Sequence, residues 1–192
     1  MQKIKNFDTQ IKENIALHES LIKLSKEINQ SIKLIYKSIS AGGKILLCGN
    51  GGSAADAQHL AAELLVRLRP KVNRKPLPAL SLAQDTSTLT ACGNDYDFSE
   101  IFSRPFDAIA TKNDVLFAIS TSGNSENIYK VLKKSKKKKI KSIGLLGGNG
   151  GKCSKYCDIK IIVPSMATAR VQECHIFLGH YIMEQVENLV IK

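Results

Sequence analysis

Twice along this chain an apolar run ends in glycine and hydroxyl residues and then gives way to a helical pattern. "KILLCGNGGS" (44–53) leads into "AADAQHLAAELLVRLR" (54–69), and "DVLFAISTSGNS" (114–125) leads into "ENIYKVLKK" (126–134). Short, wholly apolar runs separated by helices are the mark of strands buried on both faces, which belong to parallel sheets covered by helices. "IKSIGLLGG" (140–148) and "CDIKIIVP" (157–164) continue the alternation, and residues 79–83 predict a fifth strand. The fold class is therefore α/β with a central parallel sheet.

Helical patterns flank this core. Residues 4–40 carry Ile11, Ile15, Leu21, Ile22, Leu24, Ile28, Ile32, Leu34, Ile35 and Ile39 at helical spacing, which predicts one or two long helices closed by "AGG" at 41–43. Residues 168–190 are apolar on more than one side (Val171, Ile176, Phe177, Leu178, Ile182, Val186, Leu189, Val190), so this last helix is expected to be buried, partly against another subunit. No linker rich in Pro, Gly or Ser interrupts the chain, and 192 residues with 43% hydrophobic content suffice for one core, so residues 1–192 are read as a single domain.

Several function classes recede on composition. No apolar run approaches the roughly 18 to 20 residues that span a bilayer, and "MQKIKNFDTQIKEN" lacks the apolar centre of a secretory signal, so a cytoplasmic protein without a membrane partner is expected. The five cysteines (Cys48, Cys92, Cys153, Cys157, Cys174) are an odd, scattered set that favours free thiols, and "CSKYC" has no second pair to complete a metal site. The net charge of +11 owes much to "KKSKKKKIK" (133–141), which follows Ile128, Val131 and Leu132 and reads as the solvated end of a helix. No aromatic-interleaved basic motif accompanies it, so no nucleic-acid partner is expected.

The chemistry gathers in the loops and two helices. Ligands of doubly wound folds collect where strand ends lead into helix N-termini. "STSGNS" offers the hydroxyls of Ser120, Thr121, Ser122 and Ser125, and "CGNGGS" offers Asn50, Gly51, Gly52 and Ser53. Each suits a phosphate held by backbone amides and the helix dipole; taken alone, each is equally a turn with a capping serine. His59 and Glu63 stand four residues apart, close enough on one helix face to reach a common point. Gln172 and His180 are eight apart and fall loosely on one side of the last helix. His18 and His175 have no such company and are read as structural. Arg67 and Arg69 close the 54–69 helix as an ion-pair partner or as solvated cations.

"GNGGSAADAQHLAAEL", "GNDYDFSEIFSR", "STSGNS" and "TARVQECHIFLGH" together resemble the sedoheptulose 7-phosphate isomerases of the sugar isomerase (SIS) family, over nearly the whole chain. The resemblance implies a flavodoxin-like three-layer sandwich with N-terminal helices and a homotetramer whose active sites lie between subunits. It also implies isomerisation of sedoheptulose 7-phosphate to D-glycero-D-manno-heptose 7-phosphate, the start of nucleotide-activated heptose synthesis for lipopolysaccharide or capsule. It places metal ligands, with one Zn2+ per subunit, at His59, Glu63, Gln172 and His180, and the acid/base pair at Glu63 and His180. Substrate contacts fall at Asn50, Gly51, Gly52, Ser53, Glu63, Asn94, Asp95, Ser120, Thr121, Ser122, Ser125 and Gln172. Some members carry Asp before the Arg of "RVQE", where this chain has Ala169, so no carboxylate role transfers there.

Ketose–aldose isomerisation moves a proton between C1 and C2 through an enediol, which needs an acid, a base and a means of holding charge on the sugar oxygens. Glu63 and His180 supply the pair, and the sequence does not order them. The alternative is a phosphosugar-binding or replication-initiator-associating protein of the same fold, which keeps the phosphate loops but not the acid/base pair. Another phosphosugar or amino-sugar isomerase is also compatible with the loops.

Overall fold

The computed structural model describes residues 6–191. Five strands, β1 (Ile45–Cys48), β2 (Ala79–Ser81), β3 (Val115–Ser120), β4 (Lys141–Gly147) and β5 (Ile159–Val163), form one parallel sheet in the order β2-β1-β3-β4-β5. This is the flavodoxin-like strand order, in which the direction of strand addition reverses between β1 and β3. β1 and β3 pair in register from Ile45 with Val115 to Cys48 with Ala118, and every residue of both strands is buried.

Alternation along the strands divides the core in two. Ile45, Leu47, Val115, Phe117, Ile119, Ile143 and Leu145 face one side, where α2 (Ser25–Ser40), α3 (Gly52–Leu65) and α7 (Thr168–Ile191) pack. Leu46, Cys48, Leu116, Ala118 and Leu146 face the other, under α4 (Thr86–Asp95), α5 (Ser103–Ile109) and α6 (Glu126–Lys137).

The expected N-terminal helical segment is α1 (Phe7–Ser20), a tight turn at Leu21–Leu24, then α2; residues 4 and 5 of that segment lie outside the described residues. The predicted "AGG" stop holds because Gly42 adopts φ +77° and a side chain on Gly43 would lie 2.2 Å from the Asn113 carbonyl oxygen. The helix expected over 54–69 instead ends at Leu65. Pro70 disfavours helical backbone at Arg69, and the Leu64 carbonyl accepts from the Leu77 amide as the chain turns toward β2. Arg67 and Arg69 therefore stand outside the helix, Arg67 exposed and Arg69 bound to Glu187 at 2.7 Å. Two elements, α4 and α5, have no counterpart in the sequence reading.

All five cysteines are buried free thiols, and burial pushes Cys153 up to about 11 and Cys157 up to about 12. His175 is fully buried, and burial pushes its ring down to about 4. Among the described residues no helix is long and apolar enough to cross a membrane.

Asp114 ties the two central strands together at their starts. Its buried carboxylate accepts from the Lys44 amide (2.9 Å), the Lys44 ammonium (2.7 Å) and the Thr111 amide (2.8 Å). Burial raises its pKa, but these donors outweigh burial and hold the carboxyl below its ordinary value. A depressed folded-state pKa contributes stability that is present above the unfolded carboxylate value and is lost as pH falls through the folded one. Asp114→Asn is expected to cost about 1 to 3 kcal/mol at neutral pH, with the gap from the parent closing below about pH 4. Urea unfolding of both proteins from pH 7 to 3 checks this.

Candidate active site

The carboxyl ends of β1 and β3 flank the reversal point, and both predicted loops lie there. After β1, Gly51 turns at φ +55°, a left-handed conformation that glycine adopts without strain, and α3 begins at Gly52 with Ser53 buried in its first turn. After β3, Gly123 turns at φ +65° against the next loop, where an added Cβ would lie 2.2 Å from the Gly150 carbonyl oxygen. Ser120 is buried, Thr121 and Ser125 are half-buried and Ser122 is exposed.

Neither helix at these loops has a side-chain cap. Gly51 has none to offer, and the Ser125 hydroxyl lies 3.3 Å from that of Ser120 rather than on its own helix. By contrast, Asn6 caps α1 and Asp85 caps α4. Uncapped N-termini leave amide donors and the positive dipole end for a ligand, which favours anion binding over a merely capped turn.

The loops are joined to each other. Asn50 and Asn127 exchange two amide hydrogen bonds, each 2.8 Å, so the loop after β1 is latched to the first turn of α6. Asn50, expected to touch substrate, thus spends both side-chain atoms on Asn127. Asn127 went unread in the sequence, although its place just after "STSGNSE" was the available signal.

Three of the four predicted donors on α3 and α7 also meet. His59 Nε2 lies 2.8 Å from His180 Nε2 and 3.2 Å from a Glu63 carboxylate oxygen, and the ligand atoms of all three lie within 4.8 Å of one another. Their approach follows from Gly179, where an added Cβ would lie 2.6 Å from Leu60 Cδ1. Leu60 and Gly179 are the chain neighbours of His59 and His180, so this close helix contact sets the two rings side by side. Half the His59 side chain is exposed, leaving the cluster open on one side. Two imidazoles and a carboxylate able to turn toward one point form a donor set that can hold a divalent metal ion, and nitrogen with oxygen suits zinc.

Gln172, on α7, lies against the start of α3, where an added Cβ on Gly52 would lie 1.8 Å from its Nε2. Asp56, a residue the sequence reading passed over, sits one helical turn before His59. Burial raises the Asp56 carboxyl above its ordinary value, against the opposing pull of His59 and Gln172, and its Oδ2 is buried without a hydrogen-bond partner. Asn94 and Asp95 end α4 at the surface, paired to each other at 2.8 Å, and no hydrogen bond among the described residues joins them to either loop.

Comparison with known proteins fits this geometry. The SIS domain family model matches residues 11–147. The chain belongs to the SIS domain family. A curated phosphoheptose isomerase of Clostridium acetobutylicum is 47% identical over 188 residues, covering 96% of this chain and 95% of its own. Among solved structures of SIS fold, a phosphoheptose isomerase from Neisseria gonorrhoeae superposes with TM-score 0.88 at 39% identity, covering 94% of this chain and 96% of its own. One from Francisella tularensis superposes with TM-score 0.90 at 34% identity, with the same coverage. With relatives this similar over this length, the SIS chain is an isomerase.

Filling the space beside Gly52 isolates Gln172. Gly52→Ala is expected to push the Gln172 amide away from the start of α3, lowering turnover about tenfold or more while shifting the thermal midpoint by only a few degrees. Melting curves and steady-state kinetics check this.

Proposed function

We infer that this single-domain chain interconverts sedoheptulose 7-phosphate and D-glycero-D-manno-heptose 7-phosphate. The observation that carries the reading is the meeting of His59, Glu63 and His180 beside two uncapped helix N-termini. The anionic end of the sugar belongs at the loops of Gly51–Ser53 and Ser120–Ser125, where amides and hydroxyls converge. That anchors the chain of carbons so that C1 and C2 reach the α3–α7 cluster.

Glu63 and His180 are the acid/base pair. One removes the proton from C1 of the ketose and the other serves the oxygens, so that the enediol is reprotonated at C2. His59 lies between these two groups, 2.8 Å from His180 and 3.2 Å from Glu63. Zinc is the metal this donor set suits best, held by His59, Glu63 and His180 with Gln172 as a weaker oxygen ligand; when bound it supplies Lewis-acid polarisation of the carbonyl. Asn94 and Asp95 reach substrate only from another copy of the chain or after a movement of α4.

A homotetramer with sites between subunits accounts for the apolar residues left on the surface. No residue of α1 is buried, and Phe7, Ile11, Ile15 and Ile22 are exposed on the same side of the chain's start, as are Phe177 and Tyr181 on α7. Such patches belong to subunit contacts. The product would enter nucleotide-activated heptose for lipopolysaccharide or capsule, from a cytoplasmic location.

Incubation with sedoheptulose 7-phosphate should produce an aldose C1 proton by NMR, and chelation should abolish it until zinc is restored. Turnover indifferent to chelation would remove the metal and leave the acid/base pair; no turnover in a zinc-loaded sample would overturn the substrate. Glu63→Gln is expected to leave the oligomer unchanged in ultracentrifugation and to lower kcat by about 10² to 10⁴.

A further inference from the structure

The isomerase reading makes no use of the most buried ion pair of the chain's active-site face. Glu187 lies on α7, two helical turns beyond His180, with its side chain 1% exposed. Arg74, in the irregular segment after α3, is 3% exposed and donates from Nε to Glu187 at 2.8 Å. The same guanidinium donates from Nη2 to the backbone carbonyl of Glu63 at 2.7 Å and from Nη1 to that of Leu64 at 2.9 Å. The second Glu187 oxygen accepts from Arg69 at 2.7 Å.

We propose that Arg74 is a positioning residue for Glu63: gripped by Glu187, it locks the end of α3 onto α7 and so sets the spacing of His59 and Glu63 from His180. The proposal rests on the reading of those three residues as the reactive cluster. The carbonyls at the end of a helix have no partner within it, and a cation there also suits the dipole. Arg74 answers both needs at the very residue whose carboxylate faces the two imidazoles. Helix α3 meets α7 at Gly52 against Gln172 and at Leu60 against Gly179, and Arg74 bound to Glu187 ties down its C-terminal end, so that Glu63 and His180 lie between the last two contacts. A planar fork is required, because Arg74 serves a carboxylate and the carbonyls of Glu63, Leu64 and Lys75 at once, whereas a lysine ammonium is a point donor on a flexible stem. Neither Arg74 nor Glu187 touches the phosphate loops, so the device acts on the reacting end of the site and not on the anchoring end.

The test uses Arg74→Lys and Glu187→Gln in the full chain, each checked for folding by circular dichroism and thermal melting. In folded variants kcat for sedoheptulose 7-phosphate should fall at least tenfold with KM within threefold of the parent. Affinity for Co2+, titrated by its absorption in metal-free protein, should fall at least tenfold in parallel. The proposal is overturned if a folded variant keeps both kcat and Co2+ affinity within twofold, if KM rises with kcat unchanged, or if activity tracks only the folded fraction. Failure of both variants to fold also overturns it, since the clamp would then serve stability alone. A parent protein that binds Co2+ but does not turn over this sugar sinks the substrate reading and leaves the Co2+ comparison to decide the clamp. A parent that does neither leaves Arg74 nothing to position and ends the proposal.

Discussion

The contact of Leu60 with Gly179 is the constraint on which the site depends. Two helices packed on the same face of the sheet approach closely there because position 179 carries no Cβ. Glycine inside a helix costs about 1 kcal/mol relative to alanine, so its presence in the middle of α7 calls for a compensating reason. The reason is geometric: the residues adjoining this contact are His59 and His180, and only a short separation of helix backbones lets two short imidazoles reach each other. The sheet beneath supplies the fixed base, since α3 follows β1 directly and α7 covers the same core.

The architecture was legible because it rests on strong local signals. The buried strands β1 and β3, and β4 after its exposed Lys141, announce themselves as apolar runs, and the helices that follow β1 and β3 as periodic ones. Strand β2 was faint, having three residues with one exposed. Helix α4 left no clear pattern because Cys92 is its one buried side chain, and α5, though it buries Phe106, spans only seven residues. The site was legible where function repeats a local spacing, as with His59 and Glu63, or a loop composition, as with Ser120–Ser125. It was not legible where it depends on partners far apart in the chain. Nothing local distinguishes Glu187 from a solvated helix glutamate, and only its place after the hydroxyl loop marks Asn127; each acquires its role from a residue more than seventy positions away.

The basic excess divides in a similar way. Lys130 pairs with Glu100, and Lys134 and Lys138 share Asp107, so part of the lysine-rich helix holds α6 to the segment containing α5. The run lies at the end of α6 remote from Ser125, where it complements the negative end of the helix dipole. The loops themselves rely on neutral donors. The nearby Lys152 is paired with Glu126 and lies 5.0 Å from the Tyr129 ring centre, so the candidate anion loops present backbone amides and hydroxyls.

The latch between Asn50 and Asn127 gives the anchoring pocket an insensitivity that the reacting cluster lacks. Carboxamides do not ionise, and two hydrogen bonds between them carry no net charge for added salt to screen. The width between the two loops should therefore hold constant across conditions that change the protonation of carboxylates and imidazoles. If the proposed function holds, that pocket would act as an unchanging ruler between an anchored anion and the α3–α7 cluster.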